Sequence, residues 1–169
     1  EEQKSWLNYA YEYIRAYDAK YSKEKGFPPS IKLTTVKPSG TLSLLSGVTP
    51  GVHPGYSHYH IRRIRMASDS ALVQVCKQNG YKIEFQRNFD GSDDTNNVVV
   101  EFPCKFPENT IVSKDMKDLE QLELVKKLQT EWSDNSVSVT IYYKKEELDG
   151  IKEWLNSNYN NNLKTVSFL

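Results

Sequence analysis

This sequence of 169 residues contains little cysteine, no excess of either charge and no long hydrophobic run. Cys76 and Cys104 are its only cysteines, and because they form neither a CxxC pair nor part of a ligand cluster, we interpret them as inert, partly buried thiols. The 22 basic and 22 acidic residues cancel, which leaves no bulk field to favour nucleic acid or a membrane surface. The composition therefore offers no electrostatic clue to a partner.

Residues 1–169 show the pattern of neither a membrane span nor a signal peptide. No apolar run approaches the roughly 20 residues that cross a bilayer, and the first residues have neither a basic n-region nor an apolar h-region. We therefore expect a cytoplasmic setting. We also expect one domain over residues 1–169, which is long enough to bury a working core.

The most informative stretch is residues 34–47, where small residues follow a β-type run. Residues 31–36 predict a strand, residues 38–40 a tight turn, and residues 41–45 a short helix that Gly47 ends. Such a turn can gather the first helical amides and the hydroxyls of Ser39, Thr41 and Ser43 around one anion. An ordinary N-capped helix fits the same spacing. A Walker loop and a dinucleotide fingerprint are excluded, because the residues that define them are missing.

A second stretch combines histidine, tyrosine and arginine. Residues 47–55 are rich in Pro and Gly and predict a shaped loop, and the alternation in residues 57–66 predicts a strand with arginines on one side. His53, His58 and His60 lie close together, but no carboxylate or thiolate completes a metal site nearby, and hydrogen-bonded surface roles are common for histidine. The aromatic and basic mixture also leaves open a single-stranded nucleic-acid binder. A free-standing nucleotide- or phosphate-binding module that uses the turn and helix at residues 38–43 is a further alternative.

Periodicity outlines the rest of the chain. It predicts helices over residues 1–25, 70–78, 113–132 and 145–158, strands over residues 81–85, 98–102, 136–143 and 164–169, a polar turn over residues 88–97 and a loop over residues 156–162. In the strand at 136–143, Val137, Val139 and Ile141 share one face. The strand, helix and strand at the end of the sequence predict a parallel crossover unit, which is typical of α/β folds.

Four segments carry a resemblance to a known family. They are Lys37-Pro38-Ser39-Gly40-Thr41-Leu42-Ser43; Gly51-Val52-His53-Pro54-Gly55-Tyr56 followed by Ile61-Arg62-Arg63-Ile64-Arg65; Trp132-Ser133-Asp134-Asn135-Ser136-Val137-Ser138; and Lys164-Thr165-Val166-Ser167-Phe168-Leu169. In this order the segments resemble the adenosylcobalamin-dependent (class II) ribonucleotide reductases, most of all the monomeric ribonucleoside-triphosphate reductases. Because the resemblance runs over nearly the whole chain, we treat it as specific.

The resemblance implies an α/β fold that is the C-terminal part of the ten-stranded barrel of these reductases, with additional cofactor-side segments. The parent enzyme would reduce ribonucleoside triphosphates to deoxyribonucleotides. In that family, homolysis of the cobalt–carbon bond of adenosylcobalamin generates a cysteine thiyl radical, which abstracts the ribose 3′ hydrogen. A thioredoxin-type reductant and the remainder of the reductase chain would be the partners. The radical cysteine and the reductant pair are not among these residues, so we expect residues 1–169 to be an inactive fragment by themselves.

The resemblance also implies sites. It assigns the substrate phosphates to the loop formed by Pro38, Ser39, Gly40, Thr41, Leu42 and Ser43. It assigns residues 55–103 to the cobalamin side, and the candidate cofactor contacts are His53, Tyr56, His58, Tyr59, His60, Arg62 and Arg63. No catalytic residue and no metal ligand is expected in the fragment. For each candidate cofactor contact, an ordinary exposed side chain on an α/β surface is the alternative.

Overall fold

The structure, a computed structural model, describes residues 1–39 and 42–169, with backbone only at 44, 45, 161 and 162, and it divides into two compact units. Unit 1 comprises Glu1–Gly55 and Ile111–Leu169, and unit 2 comprises Tyr56–Thr110. Unit 2 nearly coincides with the 55–103 segment that the resemblance sets apart, while one domain over residues 1–169 stays a prediction. No helix in the described part of the chain combines the length and hydropathy of a membrane span.

Helices and strands are interspersed along the chain. In order they are α1 (Glu2–Lys25), α2 (Leu42–Leu45), β1 (Tyr59–Ala67), α3 (Ala71–Gln78), β2 (Lys82–Arg87), β3 (Asp93–Lys105), α4 (Asp118–Glu131), β4 (Thr140–Ile141), a 3-10 turn (Lys145–Glu147), α5 (Leu148–Asn162) and β5 (Ser167–Phe168). Strands β4 and β5 pair in parallel with α5 between them in sequence, as the crossover pattern predicts.

The core of unit 1 lies between α4, α5 and β4. Its fully buried members are aliphatic and come from both parts of the unit: Val52, Leu122, Val125, Val137, Val139, Ile141 and Ile151. The predicted apolar face of residues 136–143 is therefore confirmed. The regular strand is much shorter than predicted, because only Thr140 and Ile141 have β5 residues opposite them.

The strand predicted over residues 31–36 is, in the structure, extended chain with no regular ladder. Two isolated backbone bonds hold it, from Asn135 N to Thr34 O and from Ser138 N to Val36 O, each 3.0 Å long. Two other backbone groups bond to side chains, Ile31 O to Arg15 Nη2 at 3.3 Å and Leu33 N to Asp134 Oδ2 at 2.8 Å. The prediction of a regular strand from the β-type residue pattern of this segment is therefore wrong.

Two further boundaries differ from the periodicity. Helix α4 begins at Asp118 rather than near residue 113, and the side chain of Glu120 caps it by accepting from Lys117 N at 3.0 Å. The loop predicted over residues 156–162 is absent, because α5 continues through them. The Asn158 amide donates to Trp154 O at 2.8 Å, so an asparagine that favours turns instead bonds the preceding helical turn.

Unit 2 is an antiparallel sheet of order β1-β3-β2 with α3 on one face. Val73 of α3 packs against Val98 and Val100 of β3, and all three are buried. Strand β3 starts at Asp93, inside the predicted polar turn, and passes through Pro103, which was expected to end it. Proline is tolerated because β2 begins only opposite Glu101, so no strand lies on that side of Pro103.

Replacing Val100 with alanine should weaken unit 2. Val100 is completely buried, so the lost methyl groups and the cavity they leave cost about 2.5 kcal/mol of unfolding free energy. Val75→Ala in α3 is the matched control, since Val75 is 53% exposed and should change stability by less than about 0.5 kcal/mol. Hydrogen exchange of the β3 amides measures both variants. Equal protection in the two would contradict the assignment of Val100 to the core.

Candidate functional site

Asp134 fixes the chain that leads into the predicted phosphate loop. Its carboxylate accepts from the Tyr11 hydroxyl at 2.8 Å, from Leu33 N at 2.8 Å and from Arg15 Nη2 at 3.1 and 3.2 Å. Its own amide donates to the Thr34 hydroxyl at 3.0 Å. One carboxylate thus connects α1 to residues 33–34, four residues before the loop begins. We call Asp134, Tyr11, Arg15 and Leu33 the Asp134 cluster.

The electrostatics of the Asp134 cluster favour the ionised carboxylate. Partial burial acts to raise the pKa of Asp134, but the Leu33 amide and then the Tyr11 hydroxyl and the Arg15 charge outweigh it, so that pKa lies below its usual range. The hydrogen bond with Tyr11 raises the pKa of Arg15 above its usual value. Burial, the next largest effect, opposes this rise, and the charge of Asp134 adds to it. The cluster is therefore a charged pair reinforced by neutral donors.

Within the predicted phosphate loop, the side chain of Ser39 caps the start of helix α2. Ser39 Oγ accepts from Leu42 N at 2.8 Å and from Ser43 N at 3.4 Å, and the Ser43 hydroxyl donates back to Ser39 O. Ser43 is buried, whereas Leu42 is exposed. The N-capped helix that the spacing favours is thus present, while Gly40 and Thr41 lie outside the described residues. The acceptor on the two amides is a side-chain hydroxyl, not a backbone carbonyl.

Gly51 brings a second loop against the first. It has a φ of +59°, and a Cβ built there would lie 3.1 Å from the carbonyl carbon and oxygen of Lys37 and 3.2 Å from Pro38 N. Only glycine can adopt this positive φ without strain and also fit this close to Lys37 and Pro38 without displacing their backbone. The backbone of residues 50–53 therefore packs directly on the first residues of the predicted phosphate loop.

His53 anchors this second loop within unit 1. Its Nε2 accepts from Thr140 N at 3.0 Å, and its Nδ1 lies 3.2 Å from Pro50 O. Because Nε2 accepts, the proton is on Nδ1 and donates to Pro50. The neighbouring Val52 is buried, and its carbonyl accepts from Gln121 Nε2 at 3.2 Å. Both ring nitrogens of His53 are thus bonded within the protein.

The other candidate cofactor contacts lie in unit 2 and differ in exposure. Tyr56 and Tyr59 are 86% and 69% exposed. His58 and His60 are half-buried, and the Nδ1 atom of each is buried without a hydrogen-bond partner. The His60 ring stacks on Phe106 with centroids 4.7 Å apart. Residues 56–60 therefore contain two exposed tyrosine rings and two buried histidine nitrogens that have no hydrogen-bond partner.

The arginines of β1 do not share a face, contrary to the predicted strand pattern. Arg62 is half-buried on the same side as His60, and Arg63 is exposed on the other side. Arg63 pairs with Glu84 and Glu101 at 3.4 Å each, and Lys82 pairs with the same two carboxylates. The bond from Lys82 lowers the pKa of Glu84 below its usual value. These charges largely neutralise one another.

Each unit has a cavity open to its described surface. One of about 690 Å³ in unit 2 is lined by Arg63, Arg65, Arg87 and neighbouring residues of β2 and β3. One of about 650 Å³ in unit 1 is lined by Tyr11, Asp134 and the ends of α4 and α5. No described residue of the predicted phosphate loop lines either cavity. Across the described residues, no group of three His, Cys, Asp or Glu side chains is arranged for a metal.

Sequence reasoning missed the residues that support the loop. Asp134 was part of a recognised segment without a role, and Tyr11 and Arg15 were assigned only to a helix. Their partners are more than 100 residues away in sequence, so no local pattern indicates them. Gly51 carried one usable signal, since a glycine among prolines in a shaped loop indicates a backbone conformation that other residues avoid.

Comparisons with known proteins show which family this chain is similar to. The family model described as the barrel domain of ribonucleotide reductase matches residues 22–169. Relatives named as adenosylcobalamin-dependent ribonucleoside-triphosphate reductases occur in Euglena gracilis, with 41% identity over 86% of this chain and 19% of the relative, and in Levilactobacillus brevis, with 38% identity over 96% and 22%. A relative from Dictyostelium discoideum, named as a probable enzyme of this kind, is 39% identical over 89% and 18%.

A solved structure gives the same result for the fold. The crystal structure of a B12-dependent (class II) ribonucleotide reductase superposes on 99% of this chain and 23% of its own length, with a TM-score of 0.81 and 34% identity. The chain belongs to the ribonucleotide reductase barrel-domain family. The predicted fold, a fragment of the α/β barrel of these enzymes, is thereby confirmed. The chain spans about a fifth of the length of the curated relatives it matches.

Proposed function

We propose that this chain is part of an adenosylcobalamin-dependent ribonucleoside-triphosphate reductase, which makes deoxyribonucleotides for DNA replication. The observation that carries the proposal is that relatives with this activity in their names are similar over most of the chain, with the four recognised segments in order. The enzyme is an oxidoreductase that works in the cytoplasm with a thioredoxin-type reductant. Residues 1–169 supply binding surfaces, and the radical cysteine belongs to the rest of the polypeptide.

The loop of Pro38, Ser39, Gly40, Thr41, Leu42 and Ser43 holds the substrate phosphates in this proposal. The amides of Leu42 and Ser43 already converge on one oxygen, the Ser39 hydroxyl, so they mark a position where an acceptor is favourable. A phosphate oxygen can replace that hydroxyl if the Ser39 side chain turns aside. The hydroxyl then becomes a donor to the same phosphate.

Unit 2 fits a cobalamin-binding role through part of its predicted residues. The exposed rings of Tyr56 and Tyr59 can pack on an edge of the corrin, and the unpaired but buried Nδ1 atoms of His58 and His60 can bond its amide side chains only if the imidazole rings turn outward. Bound adenosylcobalamin supplies the radical that starts the reduction. In this proposal Arg62 remains a candidate contact, whereas Arg63 can contribute only by exchanging its carboxylate partners.

An assay of a complete reductase polypeptide that contains this chain tests the proposal. We expect ribonucleoside triphosphate to be converted to deoxyribonucleotide only when adenosylcobalamin and a dithiol are present, and no turnover from residues 1–169 alone. Gly40→Val should abolish saturable triphosphate binding, because a side chain blocks close approach of the loop backbone to phosphate. Gly150→Ala in α5 is the control, since its Cβ would meet only Leu119 at an ordinary 3.9 Å. Turnover without the cofactor would refute the assignment.

A further inference from the structure

We infer that His53 is a positioning residue for the substrate-phosphate loop and not a contact of the cofactor. This inference rests on the proposed function of residues 38–43 and adds a residue to that site. It follows from contacts within unit 1 that connect His53 to Pro38 by two routes. One route passes through the turn at residues 50–53, and the other passes through β4 and the chain that enters the phosphate loop.

The first direction passes through the turn at residues 50–53. Both the amide and Nδ1 of His53 bond to Pro50 O, at 3.1 and 3.2 Å. These two bonds close the turn in which Gly51 adopts its φ of +59°. The Gly51 backbone lies against Lys37 and Pro38 with no space for a methyl group. The imidazole therefore sets the position of the surface on which the phosphate loop begins.

The second direction passes through β4. His53 Nε2 accepts from Thr140 N, which fixes the turn to the first residue of that strand. The residues just before β4 bond to the chain entering the loop, through Ser138 N and Val36 O at 3.0 Å. The phosphate loop is consequently held between two segments, and His53 is the side chain that bonds both.

The ring has no atom left for a ligand. Nδ1 donates to Pro50 and Nε2 accepts from Thr140, so a cofactor amide or phosphate could bond His53 only by breaking one of these contacts. Breaking the Thr140 bond would leave a backbone amide without an acceptor, which is unfavourable in a partly buried position. A positioning role uses the bonds that exist.

Two isosteric substitutions in the complete reductase separate the contacts. His53→Gln places an amide oxygen near the position of Nε2 and keeps an acceptor for Thr140, whereas the shorter His53→Asn reaches only Pro50. We expect His53→Asn to raise KM for the ribonucleoside triphosphate about tenfold, because it leaves the backbone amide of Thr140 without its acceptor. His53→Gln should stay within about threefold of the wild type, and the affinity for adenosylcobalamin should change less than about twofold in both.

The outcomes separate this inference from the proposed function. A wild-type enzyme that does not require adenosylcobalamin refutes the proposed function. With an active wild type, weaker cofactor binding in either variant with KM unchanged would assign His53 to the cofactor and overturn the inference. Equal KM in wild type and His53→Asn, or an equal rise in both variants, would overturn it as well. Thermal unfolding of each variant identifies a loss of folding. If His53→Asn does not fold, the KM and the cofactor affinity of His53→Gln, which is the smaller change, decide between the two roles of His53.

Discussion

Replacing Asp134 with alanine should lower the unfolding free energy of unit 1 by about 3 kcal/mol. The substitution leaves the Leu33 amide and the Tyr11 hydroxyl without their acceptor and leaves the Arg15 charge without its partner. The side chain of Asp134 is only 14% exposed, so water replaces these bonds incompletely. Urea unfolding followed by tryptophan fluorescence measures the effect, because Trp6, Trp132 and Trp154 all lie in unit 1.

Asp149→Ala is the matched control for this experiment. Asp149 also pairs with a cation, Lys152 at 3.0 Å, but its side chain is 96% exposed. Exposed pairs contribute little, so the control should lose no more than about 0.5 kcal/mol. If both variants lose the same free energy, the Asp134 cluster does not hold α1 to the chain entering the phosphate loop.

The charge of Asp134 predicts a dependence on pH. A group whose pKa is lower in the folded state contributes stability above its unfolded pKa, near 3.9 for aspartate, and loses that contribution as pH falls through the folded pKa. The stability difference between wild type and Asp134→Asn should therefore be full at about pH 6 and shrink below about pH 4. Tyr11 and Arg15 contact the carboxylate of Asp134, and Lys164 bonds its carbonyl. A constant difference would contradict the role of the charge.

Local patterns predicted the elements whose bonds are local. Helix α1 and strand β1 follow from apolar spacing and alternation, and the sequence offered Asp69 or Ser70 as the cap of α3, where Ser70 accepts from Leu72 N at 3.3 Å. Residues 31–36 show the limit. Their pattern is β-type, but their backbone partners include side chains from α1 and from Asp134, so the regular strand predicted from composition is absent.

The candidate site, too, was predictable only where its contacts are local in sequence. A small-residue turn that enters a helix was readable at Pro38 and Ser39, including the alternative that Ser39 caps the helix, which the structure contains. The contact between His53 and Thr140 spans 87 residues of sequence, so reading the chain in order could suggest a ligand role or a hydrogen-bonded role for the histidine but could not name its partner. Which side chains face a ligand depends on such distant partners, and motif spacing does not encode them.

Gly51→Ala should disturb the phosphate loop more than any comparable change at a nearby glycine. A positive φ costs alanine about 1 kcal/mol, and the added Cβ would also lie 3.1 Å from backbone atoms of Lys37. Backbone cannot turn aside as a side chain can, so the contact must be relieved by moving residues 37–38 or 50–53. We expect a total loss of about 3 kcal/mol of unfolding free energy in the tryptophan-reported transition of unit 1.

Gly47→Ala separates strain from contact, because Gly47 has a similar φ of +64° and a Cβ added there would meet nothing within 4 Å. It should lose only about 1 kcal/mol, so the difference of about 2 kcal/mol between the two variants reports the packing of Gly51 on the loop. Under the proposed function, Gly51→Ala in the complete polypeptide should raise KM for the ribonucleoside triphosphate, whereas Gly47→Ala should leave it nearly unchanged. Equal effects of the two substitutions would mean that residues 50–53 do not set the position of Pro38, and the role inferred for His53 would lose its connection to the phosphate loop.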